Sequence, residues 1–95
     1  MSKVIDAAVA GLAAKLSGGF DGVAKFVIPG EGSIMLDAAG VREGDADADV
    51  TLTAEAEVFD ALLSGDLSAA SAFMTGILAV DGNMGLAMKL GQVLG

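Results

Sequence analysis

The sequence has no cysteine, no histidine, no tyrosine and no tryptophan, and it has a single proline. Without cysteine there is neither a disulfide framework nor a thiolate nucleophile. Without histidine the usual general base is missing, and with both types absent so are the usual zinc ligands. Basic residues are also scarce: five Lys and Arg stand against thirteen Asp and Glu, a net charge of −8 at pH 7. That balance opposes nucleic acid, whose affinity rests on neutralised phosphates, and opposes electrostatic adhesion to anionic membranes. No run approaches the roughly 18 apolar residues of a membrane-spanning helix, so stable membrane insertion is not expected. The apolar stretch Ala7 to Ala14 is bracketed by Asp6 and Lys15 and spaced as a helix, so it reads as a mature amphipathic helix and not as a signal peptide. Val93-Leu94-Gly95 is not a peroxisomal tripeptide, and a cytoplasmic location is the expectation. The groups left for chemistry are carboxylates, hydroxyls, Arg42 and four lysines, Lys3, Lys15, Lys25 and Lys89. They form no acid–base or nucleophile–base pair at useful spacing, so no catalytic residue, no metal site and no cofactor are expected.

What is present is apolar. Hydrophobic residues make up 54% of the 95, and mean hydropathy is +0.67. A chain of this length forms one domain, here residues 1–95, and buries only roughly 60–65% of the surface it exposes unfolded. Much of the excess is alanine, which packs tightly but fills little volume. Some apolar surface therefore faces something other than core, and either a partner chain or an internal cavity would account for it.

The order of elements follows from periodicity. Ser2 can cap a helix whose face is Ile5, Val9, Leu12 and Leu16, stopped by Gly18-Gly19. From Gly22 the period becomes two. Ala24, Phe26 and Ile28 point one way, and Val23, Lys25 and Val27 the other. Pro29-Gly30-Glu31-Gly32 turns the chain into a second strand, with Ile34, Leu36 and Ala38 inward and Ser33, Met35 and Asp37 outward. A short piece, Val41 to Glu43, follows. Asp47, Asp49, Thr51 and Thr53 then alternate with Ala48, Val50 and Leu52 as a strand with one wet face. Thr53 is a candidate cap for a helix bearing Val58, Phe59, Leu62 and Leu63 and ended by Gly65. Ser68 can cap a short helix with Phe73 and Met74, closed by Gly76. Ile77 to Asp81 reads as a strand and Gly82-Asn83 as a turn.

The last helix runs from about Met84 to Leu94. Gly85, Lys89 and Gln92 make one narrow polar stripe on it. Surface helices are ordinarily apolar over little more than about 100°, so this one needs apolar neighbours on several sides. Two motifs are discounted. Asp45, Asp47 and Asp49 resemble the start of a calcium loop, but Val50 and Ala56 stand where glycine and glutamate belong. Gly82-x-x-Gly85 lacks the rest of any phosphate-binding pattern.

Several stretches together resemble the sterol carrier protein type 2 family. Gly82-Asn-Met-Gly-Leu-Ala-Met-Lys-Leu90 is similar to the start of that family's last helix. Leu63-Ser-Gly-Asp-Leu-Ser-Ala-Ala-Ser-Ala-Phe-Met-Thr-Gly76 resembles its pair of short helices. Asp49-Val-Thr-Leu-Thr53 and Ile34-Met-Leu-Asp37 resemble two of its strands. The resemblance implies an α/β (α+β) fold: a five-stranded, curved, mostly antiparallel sheet covered on one face by helices. It also implies an apolar tunnel between sheet and helices for a fatty acyl chain, acyl-CoA, phospholipid or sterol. The sequence departs from the family in Ile77-Leu-Ala-Val-Asp81, where lysines are usual, in the missing tryptophan before Asp37, and in its acidity. It also stops soon after the last helix, which suggests an open tunnel or one closed by a second subunit, a homodimer.

On that resemblance, the tunnel would be lined from the sheet by Phe26, Ile34, Leu36 and Leu78, and from the middle helices by Phe59, Leu63, Phe73 and Met74. The last helix would contribute Met84, Ala87, Met88 and Leu90. Methionines adapt to variable apolar partners, though each could equally fill core. Phe59 and Phe73 can be core and wall at once. Gln92 sits on the polar stripe and reads as solvent-exposed, with a hydrogen bond to a head group as the alternative. The function expected is to bind a lipid or other apolar small molecule and carry or present it without catalysis. The alternative is a non-catalytic dimerisation or interaction module whose cavity is vestigial.

Overall fold

A computed structural model describes residues 3–16 and 19–94. The proposed caps at Ser2 and Gly18 lie outside them. The elements run α1 (Lys3–Lys15), β1 (Ala24–Ile28), β2 (Gly32–Asp37), β3 (Gly40–Glu43), β4 (Val50–Thr53), α2 (Ala56–Ser64), α3 (Ala69–Met74), β5 (Ala79–Gly82) and α4 (Met84–Leu94). Their order agrees with the periodicity. The strands form one sheet in the order β3-β2-β1-β4-β5. The central pair β1–β4 is parallel and the other three pairs are antiparallel.

The alternation in β1 explains the sheet's two faces. Ala24, Phe26 and Ile28 are buried, whereas Lys25 and Val27 are half-buried. Register then aligns the inner residues in rows. Phe26 pairs with Ile34 on one side and Leu52 on the other, and Leu52 pairs with Val80 at the β5 edge. Helices cover this face, α1 against β2 and β3 and α4 against β4 and β5. Beside α1, α2 drops Phe59 edge-on onto Phe26, with ring centroids 5.4 Å apart and planes at 78°.

Local chemistry sets most boundaries. The Ser68 hydroxyl accepts the Ser71 N–H (3.1 Å) and so caps α3, and the Asn83 side-chain oxygen accepts the Leu86 N–H (3.1 Å) at the start of α4. Gly65 ends α2 at φ +86°, a left-handed conformation that suits glycine. Gly82 is more demanding. Its φ is +103°, and an added Cβ would run into the carbonyl oxygen of Asp49. That oxygen also accepts the Asn83 N–H (2.8 Å), which joins β5 to the strand beside it. We therefore expect Gly82→Ala to destabilise the fold by roughly 1–3 kcal/mol, read as a lowered melting temperature. An unchanged melting temperature would mean that the strand end can relax.

Five expectations need correction. Ala38 does not point inward; it is exposed in the turn between β2 and β3. Met35 points to the outer face as expected but is buried (3% exposed), because the loop after β3 folds over it. The Ala46 N–H reaches its sulfur at 3.5 Å, and a Lys25–Asp45 ion pair (2.8 Å) holds the loop down. The wet strand is shorter than read: β4 begins at Val50. Asp49 instead accepts the Val23 N–H (3.2 Å) from the loop. Thr53 does not cap α2. It is the last residue of β4, and Glu55 takes the cap position without a side-chain hydrogen bond. The fifth strand starts two residues late, because both the Ile77 and Leu78 N–H groups donate to the Ala72 carbonyl (3.1 Å each) and stay tied to α3.

One ion pair stands out on the outer surface. Arg42 forks onto Asp37 at 3.1 and 2.8 Å, and Asp37 also accepts the Ala39 N–H (2.9 Å) across the β2–β3 turn. The guanidinium and that N–H hold the Asp37 carboxyl below the usual carboxylate range.

Candidate functional site

The last helix presents two apolar stripes. Leu86, Leu90 and Leu94 recur every four residues, and this stripe faces the core: Leu90 and Leu94 are 0% and 2% exposed. Met84, Ala87, Met88 and Gly91 follow at spacings of three, one and three, a second stripe turned toward α3. The pairing of bulky with small residues matters. Ala87 and Gly91 leave space that Met84 and Met88 do not close, since these are 47% and 68% exposed.

The facing wall is built the same way. Ala69, Ala70 and Phe73 of α3 look across the gap, and Leu52, Leu78 and Val80 form its floor. The result is an open groove of about 570 Å³, within the roughly 300–1,000 Å³ typical of small-molecule sites. α3 and α4 approach each other at Gly91, where an added Cβ would lie 3.5 Å from that of Ala69. Their sequence neighbours Ser68 and Gln92 are the groove's polar lining residues, so its polarity sits at that end. The Ser68 hydroxyl is occupied by Ser71, to whose hydroxyl it donates at 2.9 Å. Gln92 is exposed.

Of the twelve residues expected to line a tunnel, the structure brings five to this groove: Phe73, Leu78, Met84, Ala87 and Met88. Phe26, Ile34, Leu36 and Leu90 have no exposed surface, so no space that a water molecule could enter touches them. They belong to the buried apolar core. Met74 is not among the residues that line the groove and is 84% exposed. Phe59 and Leu63 border a separate, smaller cavity of about 280 Å³ between α1 and α2, over Ile28. Ala69, Ala70, Gly91, Leu52 and Val80 line the groove without having been expected there. The first three set small residues facing small residues on two helices, where a packed core would put one bulky partner, a juxtaposition that no single stretch of the sequence showed.

Charge is absent from the lining, and among the described residues no group of three metal-ligating side chains exists. Among the described residues, too, no helix is long and apolar enough to cross a membrane. Fold and groove together define an α/β domain with an apolar cleft at one edge of its sheet. A family model described as the SCP-2 sterol transfer family matches residues 4–95, and the chain belongs to that family. It is 43% identical over 65 residues to peroxisomal multifunctional enzyme A of Dictyostelium discoideum, covering 68% of this chain and 14% of that protein. It is 35% identical over 82 residues to hydroxysteroid dehydrogenase-like protein 2 of Xenopus laevis, covering 78% and 20%. The chain thus spans a fifth or less of these curated relatives. Among solved structures it is similar to sterol carrier protein 2 of Aedes aegypti in complex with a C16 fatty acid, palmitate. That match has a TM-score of 0.78 and 26% identity, and covers 99% of this chain and 96% of that one.

Proposed function

We propose that the chain holds the hydrocarbon tail of one lipid in the groove between α3, α4 and β4–β5, and carries or presents it without acting on it chemically. The observation that carries this reading is the groove itself: about 570 Å³, walled by Leu52, Phe73, Leu78, Val80, Met84 and Met88, with polar side chains only at the Ser68–Gln92 end. Each methylene taken from water contributes about 0.8 kcal/mol, so a tail of about 14 carbons offers roughly 11 kcal/mol before ordering costs. After those costs, micromolar affinity is the natural scale. The Gln92 amide can hydrogen-bond an uncharged or carbonyl-bearing head group, and the acidic surface disfavours a multiply charged anion. The palmitate complex of the Aedes aegypti relative supports an acyl tail as occupant. Nothing in the groove supplies an acid–base pair, so the reactions implied by the larger relatives' names belong to segments outside the matched region. An acidic chain without cysteine suits a cytosolic carrier.

Delipidated protein should take up a fluorescent fatty acid with micromolar affinity and one site per chain. Native mass spectrometry of protein freshly purified from cells should show an added lipid mass. No uptake in the micromolar range, together with no copurifying lipid, would remove this reading.

A further inference from the structure

The exposed apolar side chains are not scattered. Phe73 (45%), Met74 (84%), Ile77 (45%), Met84 (47%) and Met88 (68%) all belong to α3, α4 and their junction with β5. Three of them, Phe73, Met84 and Met88, are also the rim of the groove. Isolated exposed apolar residues are ordinary, but a set gathered on two helices and their junction, three of them lining an open cleft, marks a surface that meets something. The charge distribution is equally uneven. Residues 67–94 contain one acidic residue, Asp81, and one basic residue, Lys89. The whole net charge of −8 therefore resides in residues 1–66.

We infer that this neutral face is an interface between two copies of the chain, and that each copy's α4 closes the other's groove. The inference rests on the lipid-groove reading for what is enclosed, but not for the contact itself. Two bodies of charge −8 repel wherever their acidic surfaces meet, and the α3–α4 face is where they can touch without that cost. A basic partner would be drawn to residues 1–66 and would leave this face uncovered. A bilayer is the other candidate, but membrane-surface helices use Trp, Tyr, Lys and Arg as anchors. The chain has no Trp or Tyr, and residues 67–94 offer Lys89 alone. Exposed Met and Phe with little charge is instead the composition of a protein interface core. A twofold arrangement is self-consistent, since each groove lacks a cover that the same face of a second copy can provide.

Sedimentation equilibrium of the palmitate-loaded chain, at low and high sodium chloride, tests this. A dimer is expected, and it should tighten as salt rises, because screening weakens the repulsion between acidic bodies while apolar contact persists. Met74→Glu alters a side chain that is exposed and outside the groove lining. It should weaken dimerisation at least about tenfold, or 1.4 kcal/mol, while each chain still takes up palmitate. The inference is overturned by a chain that stays monomeric up to about 1 mM in high salt, by a dimer indifferent to Met74→Glu and Met88→Glu alike, or by flotation with phosphatidylcholine vesicles in place of self-association. Palmitate uptake by a strict monomer would sink this inference alone. A dimer that takes up no palmitate would sink the lipid reading and leave the interface standing.

Discussion

Replacing Ala87 with tryptophan should abolish lipid uptake and leave the fold intact. Ala87 sits in the stripe of α4 that faces the groove, between Met84 and Gly91, and is only half-buried. An indole there extends into existing space and does not displace core atoms. It would occupy the volume of several methylenes of a bound tail. At about 0.8 kcal/mol each, losing four of them costs roughly 3 kcal/mol, a fall in affinity of about 100-fold or more. Ala70→Trp approaches the same space from the opposite wall and should act in the same direction. The chain has no native tryptophan, so either variant carries a single fluorophore that reports whether the ring is shielded. Unchanged fatty-acid affinity in both variants, each melting like the parent, would place the ligand elsewhere.

Phe59→Ala should do the reverse. This ring is 3% exposed and packs edge-on against Phe26 in the centre of the inner sheet face. Large-to-small changes of a buried phenylalanine cost about 3–5 kcal/mol, and small domains have only about 5–15 kcal/mol in total. The melting temperature should drop sharply. At a temperature where the variant remains folded, however, acyl-chain affinity should change little, because Phe59 does not line the groove. A loss of affinity that exceeds the unfolded fraction would show that the central core opens to admit the tail. That outcome would restore the hollow expected beneath Phe26, Ile34 and Leu36.

These contrasting expectations follow from a division of labour that residue type alone did not show. Phe59 and Phe73 look alike in sequence, one aromatic on each of two short helices. The first meets Phe26 and is sealed, whereas the second stands at the groove rim with 45% of its surface exposed. Met35 and Met88 diverge in the same way. Met35 occupies an outward position and is buried under a loop, while Met88 lies on a strongly apolar helix and is largely uncovered.

The one-dimensional pattern was enough to establish the succession of helices and strands, the inner face of β1, the caps at Ser68 and Gly65, and the family. All of these depend on interactions within a few residues, on period, or on composition. It also marked the last helix as apolar over most of its circumference, with Gly85, Lys89 and Gln92 as its polar stripe, but it did not divide that apolar side into two stripes. Which stripe enters the core and which borders empty space depended on how α3 and α4 cross over β4 and β5. That crossing is a balance of packing between segments distant in the chain, so it is written in no single stretch of it. Only in three dimensions do the small residues at 69, 70, 87 and 91 come to face one another, and volume left unfilled is a property of that meeting.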